Sequence, residues 1–195
     1  GLAQRARHAA RGIAIASTEK KDAVLLELAR RIRQQEERIL KANARDLEHA
    51  ESNGLSDALI DRLRLTPARI KSMAAGVENV AKLTDPVGRI EDNQERPNGL
   101  QIARMRIPLG VICIIYESRP NVTIDAGALC LKSGNAPILK GGKEAHHSNG
   151  VLVDLMQESL AHEGLDPNVV QAIATSDRSV IANLIRQDRY VDLVI

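Results

Sequence analysis

The sequence predicts an α/β protein: a doubly wound, mainly parallel sheet preceded by helices and carrying a protruding β-hairpin. Three features predict it. From residue 109 onward short apolar runs alternate with stretches of helical period, and the apolar runs have no polar face to show to water. Residues 87–107 instead alternate one by one around Asn98-Gly99, a strong hairpin turn.

The first 86 residues read as helices. In "TEKKDAVLLELARRIRQQEERILKANARDLEHAESNG", Val24, Leu25, Leu28, Ile32, Ile39 and Leu47 keep close to one face, which predicts one long helix stopped at Asn53-Gly54. Glu27 with Arg31 and Glu37 with Lys41 stand four apart, as pairs on the opposite, solvated face. Thr66 then offers a cap and Pro67 a first-turn proline for a helix carrying Ile70, Met73, Val77 and Val80, ended by "TDP" at 84–86. "VGRIEDNQERPNGLQIARMRI" reads as two antiparallel strands, and a lone hairpin of this kind needs another surface to pack on.

The remainder reads strand "VICIIY", helix "NVTIDAGALCLKSGN", strand "APILK", helix "EAHHSNGVLVDLMQESLAHEG", strand "VVQAIA", helix "SDRSVIANLIRQ" and strand "YVDLVI". Helices cover both faces of such a sheet. Ligands bind beyond its strands' carboxyl ends, where the loops after "VICIIY" and "APILK" are expected together. The expected division is a helical part at 1–86, a hairpin arm at 87–107 and an α/β part at 108–195.

Composition removes several classes of function. Lys and Arg number 27 and Asp and Glu 25, spread along the chain, so no basic stripe exists to follow a nucleic-acid backbone. There is no Phe or Trp on which bases could stack. The longest apolar run, "LGVICIIY", is far shorter than the ~20 residues of a membrane span. No apolar segment follows the arginines of "GLAQRARHAARG", so no secretory signal is read. Cys113 and Cys130 lie in apolar segments, which suggests reduced thiols and a cytoplasmic protein, and neither is expected to be a nucleophile. His146 and His147 are adjacent with no Cys or carboxylate at ligand spacing, so no metal site is expected.

Chemistry is expected in two segments. In "ILKGGKEAHHSN", Gly141 and Gly142 free the backbone to approach a ligand, the next helix offers unpaired N–H groups, and Lys140 and Lys143 add two charges. The pattern suits a phosphate or nucleotide cradle, or else a solvated turn; it matches neither G-x-G-x-x-G nor the P-loop motif. In "YESRPNVT", Asn121 is either a helix N-cap or an amide donor to a developing oxyanion. Arg119 beside it suits a carboxylate or phosphate, or simply the surface.

The block "RIPLGVICIIYESRPNVTIDAGALCLKSGNAPILKGGKEAHHSN" resembles the γ-glutamyl phosphate reductase family of the aldehyde dehydrogenase superfamily. "KANARDLEHAESNGLSDALIDRLRLTPARIKSMAAGV", "DPVG" and "DRYVDLVI" extend the likeness over nearly the whole chain. The resemblance implies an aldehyde-dehydrogenase-like cofactor domain. It also implies reduction of L-glutamyl 5-phosphate by NADPH to glutamate 5-semialdehyde and phosphate, in proline biosynthesis. By the same resemblance Asn121 is catalytic, Lys140, Gly141, Gly142, Lys143 and Ser118 bind cofactor, and Arg119 meets substrate. Many NAD-using relatives carry a glutamate where this chain has Lys143, which implies a preference for the 2′-phosphate of NADPH. Pro120 replaces an aromatic usual before the loop asparagine. The domain expected to carry the nucleophilic cysteine is absent, the hairpin resembles an oligomerisation arm of a homo-oligomer, and glutamate 5-kinase is a candidate partner. Two alternatives stay open: another member of the superfamily, or a non-catalytic nucleotide-binding module.

Overall fold

The computed structural model describes residues 1–173, 175 and 178–195. Helices α1 (Leu2–Ala14), α2 (Thr18–Gln34), α3 (Glu36–Ser52), α4 (Asp57–Leu63) and α5 (Pro67–Ala81) come first, then the hairpin β1 (Ile90–Glu95) and β2 (Gln101–Met105). The α/β part follows as β3 (Val111–Ile115), α6 (Pro120–Lys132), β4 (Ala136–Lys140), α7 (His146–His162), β5 (Gln171–Ala172), α8 (Arg178–Ile185) and β6 (Leu193–Val194). Its four strands are parallel in the order β5-β4-β3-β6. The predicted doubly wound sheet and separate hairpin are both present.

Both faces of the sheet are covered, and side-chain parity shows how. Ile138 pairs with Gln171 across β4 and β5, so these two point to one face. Arg5 of α1 donates to Gln171 Oε1 at 3.2 Å, which puts α1 on that face. Leu139, on the other face, lies under Gly127 of α6, and α6 packs on α7. The central strand β4 is buried at all five positions.

The capping signals worked as expected. The Thr66 hydroxyl accepts from the Arg69 N–H at 3.2 Å with Pro67 at the first helical position, and Gly54 has a left-handed φ of 68° just past α3. The single long helix was wrong. It is α2 and α3, broken at Gln35 (φ −103°, ψ 22°). An unbroken helix of that length would run about 50 Å, longer than the core it covers; the break lets α2 pack on α5 while α3 lies along α7. Glu27 also departs from expectation: it is buried rather than solvated, hydrogen-bonded to Arg30 and ion-paired with Arg31, which reaches Glu158 of α7 at 2.9 Å.

The two outer strands are shorter than read. Of "VVQAIA" only Gln171–Ala172 is strand; Val169 closes a 3-10 turn that starts at Pro167 and is capped by Asp166 through the Asn168 N–H. The expected strand end Ala174 and helix start Ser176 and Asp177 lie outside the described residues. "YVDLVI" contributes only Leu193–Val194 to the ladder, although the Asp192 and Ile195 N–H groups still bond to Val111 and Cys113.

In the hairpin, Ile90 pairs with Met105 and Glu95 with Gln101, with a bulge between Glu91 and Gln94 where Asp92 takes φ 53°. Ile90, Ile102 and Met105 are all exposed. Among the described residues no helix is long and apolar enough to cross a membrane.

Candidate functional site

The register of the sheet sets the site. Ile115 of β3 lies beside Lys140 of β4, and the Tyr116 N–H bonds to the Lys140 carbonyl at 3.0 Å, so the loops after these strands leave the same edge together. The "YESRPNVT" and "LKGGKEAHH" segments meet there, as predicted.

They meet closely because the second loop has no side chains at its corner. A Cβ on Gly142 would overlap Ser118 Oγ and sit 3.0 Å from the Ser118 nitrogen; one on Gly141 would overlap the Asn149 amide and stand 3.1 Å from the Tyr116 ring. The glycines therefore admit protein neighbours. Behind them the Tyr116 hydroxyl donates to Thr123 Oγ1 at 2.7 Å, and Thr123 donates to Asn149 Oδ1 at 2.8 Å, linking β3, α6 and α7. Burial raises the Tyr116 phenol above its ordinary range, against the opposing bond with Thr123.

The corner opens on a cleft of about 650 Å³ lined by Lys140, Gly141, Gly142, Lys143, Glu144 and the start of α7. Lys140 is only 8% exposed, and its ammonium meets the Gly141 carbonyl at 2.7 Å with no carboxylate in contact among the described residues. A buried cation with so few partners is a costly feature unless a ligand supplies more. Lys143 is exposed, whereas Glu144 is half-buried and accepts a hydrogen bond from Ser118.

The start of α7 is held by a residue that the helical pattern of α3 hides. Asp46 is buried and accepts from the His147 N–H (2.9 Å), the Ser148 N–H (2.7 Å) and the Ser148 hydroxyl (2.6 Å). A carboxylate from a neighbouring helix thus serves as the cap, where unpaired N–H groups and the helix dipole favour negative charge. One turn earlier, buried Asn43 donates to Ser148 Oγ (3.1 Å) and the Leu63 carbonyl (2.9 Å) and accepts from the Leu65 N–H (2.7 Å). The signal was present: two polar residues three apart on the face carrying Ile39 and Ala50.

Asn121 and Arg119 lie in a different place. They line a second cleft of about 520 Å³ with Arg62, Arg64, Met73 and Asp125. Arg119 occupies the N-cap position of α6, so Asn121 lies inside the first turn and is not the cap. Its amide donates to Asp125 Oδ2 at 3.3 Å, a loose contact that leaves it exposed. Burial raises the Asp125 carboxyl above the usual carboxylate range, against the opposing bond from Asn121. Ser118 bonds to Glu144 of the first cleft and is followed directly by Arg119 of the second.

Both cysteines are buried and free. Burial raises the Cys113 thiol and pushes Cys130 up to about 12. The His147 ring lies tilted against His49 and edge-on to His146, with ring centres 5.7 and 5.2 Å away.

Known proteins share this fold. The chain is 39% identical to γ-glutamyl phosphate reductase from Thermotoga maritima, with a TM-score of 0.96 over 99% of the chain and 47% of that enzyme. For γ-glutamyl phosphate reductase from Saccharomyces cerevisiae the identity is 34% and the TM-score 0.91, over 99% of the chain and 49% of that enzyme. The chain therefore spans about half the length of these relatives. A NAD-dependent benzaldehyde dehydrogenase from Corynebacterium glutamicum has the same fold at 16% identity (TM-score 0.76, 99% of the chain and 39% of that protein). The sequence model of the aldehyde dehydrogenase family matches residues 2–195, and the chain belongs to that family.

Proposed function

We propose that the chain forms the cofactor-binding part of an NADPH-dependent reductase that converts L-glutamyl 5-phosphate to L-glutamate 5-semialdehyde and phosphate. The observation that carries the reading is the likeness to two γ-glutamyl phosphate reductases along the whole chain. Membership of the aldehyde dehydrogenase family implies a nicotinamide cofactor, and the first cleft suits one: a buried ammonium short of partners faces a space large enough for a nucleotide. When bound, the cofactor supplies the hydride that reduces the acyl group to the aldehyde.

In this reading Lys140 binds the adenosine ribose and Lys143 the 2′-phosphate, with Gly141, Gly142 and Ser118 shaping the wall they project from. Asn121 donates its amide to the oxyanion that develops on the acyl carbon, and Arg119 meets the substrate. Neither buried thiol here suits the nucleophile, because burial disfavours their thiolates. That group belongs to a catalytic domain beyond these residues. The hairpin, with Ile90, Ile102 and Met105 exposed, serves in this reading as the arm of a homo-oligomer, and the enzyme works in the cytoplasm with glutamate 5-kinase as a partner.

A second reading is favoured by one observation: Glu144 is half-buried in the same corner and fixed by Ser118. Its carboxylate could take the 2′- and 3′-hydroxyls of NADH. Fluorescence titration with NADPH and NADH decides between them. A preference for NADPH that Lys143→Glu reverses supports the first reading; a preference for NADH that Glu144→Gln erases supports the second.

A further inference from the structure

The second cleft is more basic than its role as a place for Asn121 requires. Four guanidinium groups, of Arg62, Arg64, Arg69 and Arg119, line it against two carboxylates, Asp61 and Asp125. They are not equally available. Arg69 is committed, donating to the Arg64 carbonyl at 2.7 Å and to Asp61 Oδ1 at 2.9 Å. Arg62 lies 3.6 Å from Glu117, and Asp125 is taken by Asn121. The guanidinium groups of Arg64 and Arg119 have no hydrogen bond or ion pair among the described residues, and they flank the cleft that holds the Asn121 amide.

The backbone that presents Arg64 is fixed on every side. Its N–H bonds to the Ile60 carbonyl at 2.9 Å and its carbonyl accepts from Arg69. The residues before and after it, Leu63 and Leu65, are buried and both bonded to Asn43. A rigid segment thus carries a long, unpartnered cation to the mouth of a cleft. Guanidinium groups so placed suit the flat oxyanions of carboxylate and phosphate.

We propose that Arg64 is a specificity-determining residue that, together with Arg119, binds an oxyanion of the substrate beside Asn121. The inference rests on the acyl-phosphate reading above and deepens it by naming what recognises the anion. Two groups of L-glutamyl 5-phosphate share that chemistry, the phosphate and the α-carboxylate, and the test separates them.

The test uses the full-length enzyme in the direction of acyl-phosphate formation, with semialdehyde, inorganic phosphate and NADP+, comparing wild type, Arg64→Met, Arg64→Lys and the surface control Arg45→Met. Loss of a charge-assisted contact is expected to raise one KM about tenfold or more in Arg64→Met, with kcat and melting temperature little changed and Arg64→Lys intermediate. A rise in the KM for phosphate assigns the wall to phosphate; a rise in the KM for the semialdehyde assigns it to the carboxylate. If neither KM moves, or Arg45→Met moves them equally, the proposal is overturned. If the wild type shows no phosphate-dependent turnover, the acyl-phosphate reading fails instead. Calorimetric titration with inorganic phosphate and with L-glutamate then tests the wall alone: binding of either one lost in Arg64→Met upholds it, and binding of both unchanged in Arg64→Met, or of both absent in the wild type, overturns it.

Discussion

At Lys140 an ammonium group is buried with one carbonyl as its hydrogen-bond partner among the described residues, and the energetic cost of that arrangement is its most telling property. Lys140→Met replaces the charge by an apolar chain of similar length. The affinity for nicotinamide cofactor should fall about tenfold, since contacts to a charged donor are of that order, while the melting temperature stays level or rises. A titration with unchanged affinity would remove Lys140 from the binding set. Gly142 tests the corner itself. Gly142→Ala pushes a methyl group into Ser118 and should cost about 1–3 kcal/mol of stability in urea melts. Ser118→Ala in the same chain should recover part of the loss, because the hydroxyl is the nearest clash and the Ser118 backbone nitrogen remains.

Among the elements, α3 does most to position the site, although none of its residues stood out as functional. Asp46→Ala leaves two N–H groups at the start of α7 and the Ser148 hydroxyl without their acceptor, and should destabilise the protein by about 2 kcal/mol. Hydrogen exchange should quicken first at His147 and Ser148. Loss spread evenly over the chain would mean that the cap is not local. Two carboxyls bonded to side chains of α2, Glu27 and Asp85, carry an acid sensitivity. The hydrogen bond from Arg30 leads the forces that outweigh burial and lower Glu27 from 4.5 to about 2. At Asp85 burial acts upward, but bonds from Lys21, the Val87 N–H and Thr18 hold the carboxyl below its ordinary value. Both carboxyls bind protons more readily when unfolded. Their stabilisation is therefore present above the ordinary carboxyl range and is lost as the pH falls below it, for Glu27 through about 2. Urea midpoints from pH 6 to 3 should fall along that slope, and Glu27→Gln should flatten it; an unchanged slope would place the acid sensitivity elsewhere.

For the whole molecule, the exposed hairpin and the two clefts are the features that a single chain leaves unfinished. Ile90 and Met105 face each other across β1 and β2, with 63% and 59% of their surfaces exposed. If the hairpin is an assembly arm, replacing both by Lys should lower the mass of the full-length protein in sedimentation experiments without changing its circular dichroism. An unchanged mass would rule out that role. The two clefts are joined through α3: Asn43 bonds both to Ser148 of α7 and to the Leu63–Leu65 segment that carries Arg64. Asn43→Ala should accordingly weaken cofactor and phosphate binding together.

The sequence by itself determined the order of strands and helices and the hairpin, because apolar periods of 2 and 3.6 and the turn residues are local signals. It also placed the two loops at one sheet edge, since parallel strands in a wound sheet send their carboxyl ends the same way. Only the tertiary structure decided the rest. The break at Gln35 has no Gly or Pro to announce it and follows from packing α2 and α3 on different partners. The burial of Glu27 depends on α7 standing opposite, more than a hundred residues away. The separation of Asn121 and Arg119 from the lysine corner, and the company of Arg64, arise from a helix pair far earlier in the chain, and contacts between distant segments leave no period in either one.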